Sequence, residues 1–158
     1  MGIGIDGDSN DSPQGIAVNH SGEVYVTYVT CHCIQVFTTD GVFLRAWGSK
    51  GSDDGQFDDP RGIAIDGLGR VSVVDRGNLR IQVFTTDGGF LRKWDAGDTL
   101  EEPIGAPSGY YDRLVNAPHS IAVALSGTAY VATAGVPIPP VRELDDVWAL
   151  RIMGDSVE

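Results

Sequence analysis

Three positions in this chain put a polar side chain directly after a proline: Gln14 after Pro13, Arg61 after Pro60 and His119 after Pro118. An amide, a guanidinium and an imidazole can between them donate and accept hydrogen bonds, and a guanidinium can grip a carboxylate or phosphate through two parallel bonds. If the three prolines open equivalent elements, these side chains share one place in the fold. A second constellation is Cys31, His32 and Cys33, a thiol–imidazole–thiol run of soft metal ligands. No second cluster completes a tetrahedral site around it, and a single intervening residue makes a mutual disulfide awkward, so two free thiols and a loop histidine are expected. A third, residues 6–11 (DGDSND), has the alternating oxygen side chains of a calcium loop. Asp11 stands where such a loop needs glycine and Ala17 where it needs the closing glutamate, so an acidic linker is expected. No Gly-rich phosphate cradle, nucleophile elbow or recognisable Ser/His/Asp order can be assigned.

What positions these residues is a repeat. Residues 60–94 (PRGIAIDGLGRVSVVDRGNLRIQVFTTDGGFLRKW) lie over residues 13–47 (PQGIAVNHSGEVYVTYVTCHCIQVFTTDGVFLRAW) at a constant offset of 47 residues, Pro13 to Pro60, Gln35 to Gln82 and Trp47 to Trp94. The run IQVFTTDG occurs unchanged in both. A third, degenerate copy over 118–153 opens with PHSIAVALSGTAYVA and closes at Leu150, Arg151, Ile152 and Met153, which align with the outer end of the first copy at Leu44 to Trp47.

Within the central copy, four runs carry strand chemistry: 62–66, 71–75, 81–85 and 90–94, each rich in β-branched or aromatic residues and bounded by turn residues. Asp66-Gly67 and Asp87-Gly88 are hairpin signals, because glycine takes the positive φ that such turns require. Helical periodicity is weak; the best stretches, 112–117 and 142–150, are short and flanked by Gly or Pro. Four short strands in line predict an up-and-down antiparallel sheet, and repetition of such sheets at this period predicts an all-β propeller.

The pattern Pro60-x-Gly62-Ile63-Ala64-x-Asp66, then Val74-Asp75-x-Gly77-Asn78-x-Arg80-Ile81-Gln82-Val83-Phe84, then Asp87-Gly88, resembles the NHL repeat. The first copy departs from it at 28–33, where Tyr28 and Cys31 to Cys33 replace the aspartate, asparagine and arginine, and the third copy has lost the segment. The resemblance implies blades of a ring that usually has six, which at this period needs about 282 residues. This chain supplies three: blade 1 over 13–47, blade 2 over 60–94 and blade 3 over 118–153, with a connector at 1–12 and a long inserted connector at 95–117. A half-ring exposes a broad apolar face at each end, so self-association of two chains into one closed six-bladed ring is expected, first blade to last. A piece of a longer propeller is the other account of the same count.

In such blades, the loop between the second and third strands and the connectors between blades lie on one face. Departures between copies concentrate there, at 28–33, at its counterpart 75–80 and at 95–117, which brings Tyr110, Tyr111 and Arg113. Gln14, Arg61 and His119 are expected at the mouth of the central channel on that face, with Arg76, Arg80, His32 and the tyrosine loop as further ligand contacts. Trp47, Trp94 and Met153, at the outer strand's end, are expected to pack blade against blade. Pro118-His119-Ser120 also resembles the Pro-His-Ser motif of peptidyl-hydroxyglycine amidating lyases, propellers whose such histidines bind zinc. A catalytic zinc needs about three protein ligands, whereas Gln14 and Arg61 occupy the places equivalent to His119.

Charge narrows the partners. The formal net charge of −11 repels phosphate backbones, so nucleic-acid binding is not expected. No apolar run approaches the ~18 residues of a membrane helix, and residues 1–8 lack the basic start and apolar core of a secretory leader, so the default expectation is the cytoplasm, or secretion if a leader has been removed. The function expected is a non-catalytic scaffold for a protein, peptide or small ligand, with no cofactor. The rival is a lyase or lactonase with a divalent metal in the channel and His119 among its ligands.

Overall fold

The computed structural model describes residues 12–95, 117–124, 129–133 and 148–152. Strands β1 (Pro13–Val18), β2 (Val24–Tyr28), β3 (Cys33–Phe37) and β4 (Phe43–Trp47) form one antiparallel sheet in sequence order, and β5 (Pro60–Ile65), β6 (Val71–Asp75), β7 (Arg80–Phe84) and β8 (Phe90–Asp95) form a second. These are the two expected blades, and the described chain is all-β. Their turns are built alike. Asn19 Oδ1 accepts from the amides of Ser21 and Glu23, and Asp66 Oδ1 from those of Leu68 and Arg70, so a side chain closes each first hairpin. The glycine with positive φ there is Gly69 (79°) rather than Gly67, matched by Gly22 (80°) in blade 1.

The third sheet corrects the expected outer strand. It contains β9 (Pro118–Val123), β10 (Ala129–Thr133) and β11 (Trp148–Ile152), in the order β11-β10-β9. Val131 pairs with Leu150 and Tyr130 with Arg151, so 148–152 occupies the place of a third strand rather than a fourth. An apolar strand next to β10 completes the backbone hydrogen bonds that the lost 28–33 counterpart would otherwise have led into.

Blades pack face to face through two cores. Tyr25, Ile34 and Val36 of blade 1 meet Phe57, Ile63, Val71, Val73 and Phe84, with Trp47 beside them; Val74 and Ile81 of blade 2 meet Ile121, Ala129 and Val131, with Trp94 beside them. Trp47 stacks edgewise on Tyr25 and tilts against Phe84 across the blade boundary, as expected of a packing residue. Met153 lies outside the described residues. Innermost strands β1, β5 and β9 run side by side, and the glycine of each Pro-x-Gly opening allows it: a Cβ on Gly62 would lie 2.7 Å from Ser120 Cα and 2.9 Å from the Ile121 nitrogen, and one on Gly15 would fall on the Arg61 carbonyl.

On the opposite rim from the connectors, Arg45 joins blades 1 and 2. Its guanidinium donates to both carboxylate oxygens of Glu23, at 2.8 and 3.0 Å, and to the Thr86 carbonyl at 2.9 Å. The hydrogen bond from Arg45, helped by those from Tyr25 and Asn19 against the opposing effect of burial, holds the Glu23 carboxyl down to about 2 from its ordinary 4.5. A carboxyl depressed on folding stabilises the fold above its unfolded value, and the contribution fades as pH falls from about 4.5 towards about 2. Glu23→Gln is therefore expected to lower the urea midpoint by the equivalent of about 1–2 kcal/mol near neutral pH, after allowance for solvent screening, with the gap to the native protein closing in acid. A gap independent of pH would show that the carboxylate's charge is not what Arg45 holds.

Candidate functional site

Each innermost strand begins with its proline at the rim where the connectors lie, and the next side chain projects beside its counterparts. Arg61 Nη1 is 3.1 Å from His119 Nε2 and donates to Gln14 Oε1 at 3.4 Å, so one guanidinium links the first residues of three blades. The structure thus brings Gln14, Arg61 and His119 together. A guanidinium only donates, so His119 Nε2 receives this bond as a lone pair. Partial burial, then the nearby Arg61 and Arg76, push the His119 pKa down from its ordinary value, which favours that neutral state.

The organising residue was not among those singled out in the sequence. Asp59 accepts from Arg61 Nε on both carboxylate oxygens at 3.1 Å and from Arg76 Nη1 at 2.8 Å, and its own amide donates to His32 Nδ1 at 3.3 Å. Three expected site residues therefore converge on one aspartate. Asp59 has φ of 53°, a left-handed backbone that aspartate tolerates better than most residues, and it precedes Pro60, which disfavours a helical backbone there. Ser12 and Ala117 hold the equivalent places before Pro13 and Pro118, so the carboxylate is particular to this blade. Its chemical signal in the sequence was only an Asp-Pro step.

Arg80 sits elsewhere. It is 4% exposed, its Nε donates to Asp75 Oδ2 at 2.6 Å, and its terminal nitrogens donate to the carbonyls of Ser52, Asp53 and Gln56 at 2.8 to 2.9 Å. Asn78 adds bonds from its Nδ2 to Asp75 and to the Gly51 carbonyl. In place of the ligand contact expected of it, Arg80 holds the connector 48–59 onto blade 2 and so fixes Asp59 at its end.

Cys31 and Cys33 form a disulfide, contrary to the expected free thiols. His32 between them has φ of 51°, which folds the chain so that the two Cα atoms lie 5.2 Å apart, within the ordinary span of a disulfide. In the disulfide the two sulfurs are not thiolate ligands. Arg61 places a cation 3.1 Å from His119 Nε2, and the described residues hold no group of three or more His, Cys, Asp or Glu able to hold a metal ion. Tyr110, Tyr111 and Arg113 lie outside the described residues, as does the acidic run 6–11.

Comparisons agree with this architecture. The NHL repeat family model matches residues 57–84, from the end of the connector through β7. Among solved structures, the chain resembles a streptogramin B lyase (19% identity, 77% of this chain and 34% of that one, TM-score 0.53). It also resembles a virginiamycin B lyase from Staphylococcus aureus (19%, 77% and 34%, 0.52) and a chain of a nidogen/laminin complex (22%, 78% and 40%, 0.53). At these identities the likeness establishes the fold alone, a β-propeller, and the chain spans about a third of the length of the two lyases. No curated protein matches the sequence.

Proposed function

We propose that this chain is a run of blades in a closed propeller ring that acts as a non-catalytic binding scaffold, taking an anionic group of a small ligand or peptide at the channel mouth. The observation that carries the reading is Arg61, held by Asp59 on one side while its Nη1 faces Gln14 and His119. Contacts at 3.1 and 3.4 Å to a neutral imidazole and an amide are weaker than those an incoming carboxylate or phosphate oxygen would make, so a ligand oxygen can displace them at little cost. Arg61 and Arg76, both held by Asp59, set two guanidinium groups side by side on an otherwise acidic chain.

Titration calorimetry with a panel of small carboxylates and phosphates tests this. Arg61→Gln is expected to weaken the best binder by about tenfold or more, the size of a lost charge-assisted hydrogen bond. Affinity is expected to rise as pH falls, because a bound anion favours the protonated form of His119, which is otherwise held neutral. Absence of binding by every anion tried would overturn the anion-binding reading, and turnover that needs an added divalent metal would overturn the scaffold in favour of the enzyme. We further propose that a second copy of the chain closes the ring, with the exposed face of blade 1 as the contact.

A further inference from the structure

The loops 28–33 and 75–80 are the same turn held by different chemistry. His32 and Leu79 occupy the same place 47 residues apart, and both have left-handed backbones, with φ of 51° and 54°. In blade 2 the turn is fastened by the ionic set Asp75, Asn78 and Arg80. In blade 1 the positions of Asn78 and Arg80 carry Cys31 and Cys33, and a disulfide takes over the fastening. An ionic fastening does not respond to thiols, whereas a disulfide does.

We propose that Cys31 and Cys33 form a redox-active disulfide, open to dithiol reductants, whose state sets the His32 turn and through it the backbone of Asp59. The two sulfurs are unequal: Cys31 is exposed and Cys33 is 6% exposed. A reductant thiolate therefore attacks Cys31 Sγ, forming a mixed disulfide and expelling Cys33 as a thiolate, which takes up the proton that the attacking thiol released. The reductant's second thiol then attacks its own sulfur in the mixed disulfide and frees Cys31. Two electrons and two protons pass to the protein, and the reductant leaves as a cyclic disulfide. Only one residue separates the cysteines, so the closed form depends on the left-handed His32 backbone. Opening it releases that constraint, and with it the imidazole that accepts from the Asp59 amide.

Dithiothreitol is the probe, with two readouts on the native chain. Alkylation followed by mass measurement is expected to add no label before reduction and two after it, with no denaturant present. Amide exchange by NMR is expected to quicken at His32 and Asp59 by about tenfold or more on reduction, while Leu79, in the thiol-free counterpart turn, keeps its rate. The double variant Cys31→Ser with Cys33→Ser should exchange like the reduced protein, with or without dithiothreitol. Labels taken up before reduction, a disulfide that opens only in denaturant, an unchanged Asp59 amide, or equal acceleration at Leu79 would each overturn the proposal.

Discussion

Exchanging Arg80 for methionine is expected to lower the stability of the fold by about 3–5 kcal/mol. Asp75 is fully buried, and after the exchange its carboxylate keeps only hydrogen bonds from neutral groups: the Asp58 amide at 2.8 Å, Asn78, and Gln82 at 3.1 Å. An uncompensated charge in that position is more costly than the lost bonds alone. The three connector carbonyls of Ser52, Asp53 and Gln56 also lose the guanidinium that holds them. Coupling is the sharper test. Asp75→Leu combined with Arg80→Met is expected to recover at least half of the loss, because it removes the stranded charge together with its partner. Urea unfolding followed through tryptophan fluorescence measures both. A single-variant loss below about 1 kcal/mol would place the pair in a wetter environment than its burial implies.

The same residue shows what a sequence discloses and what it withholds. Strand order and blade count were legible because a repeat of 47 residues repeats its turns, and Asn19 and Asp66 close the same hairpin by the same bonds. Alignment of the prolines was enough to bring Gln14, Arg61 and His119 together, since equivalent positions in a ring of blades are neighbours. Arg80 was misplaced because its side chain turns into the sheet, and loop position alone does not say whether a guanidinium meets solvent or carbonyls. Asp59 went unnoticed for the opposite reason: it lies outside the repeat pattern, and its role comes from a left-handed backbone that composition does not reveal. The disulfide depended on the same hidden variable, the sign of φ at His32. The third blade was misread at β11 because Leu150 and Arg151 match an outer strand in type, while the pairing of Val131 with Leu150 is a tertiary choice.

Ile16→Asp is expected to convert a dimer of about twice 16.8 kDa into a monomer of that mass, measured by light scattering on a size-exclusion column. Ile16 of blade 1 and Ile63 of blade 2 stand at the same place, and Ile121 is their counterpart in blade 3. Ile63 is 6% exposed and Ile121 8%, each covered by the preceding blade, whereas Ile16 is 68% exposed and Val18 beside it 57%. Blade 1 thus presents an apolar face of the kind that its neighbours bury. At the other end, Tyr130 is 43% exposed where Tyr25, its counterpart, is fully buried against blade 2. On the proposal that a second copy closes the ring, these two ends would meet head to tail, and a twofold axis would close the contact at both ends. Burying an isoleucine is worth about 1.5–3 kcal/mol, and the twofold axis counts each substitution twice, so one aspartate in that face is expected to weaken association by a hundredfold or more. Leu68→Asp is the control: Leu68 is 79% exposed in the β5–β6 turn, away from the blade faces, and its exchange should leave the mass unchanged. A native chain that runs as a monomer, or a dimer untouched by Ile16→Asp, would mean that the face of blade 1 is covered by something other than a second copy.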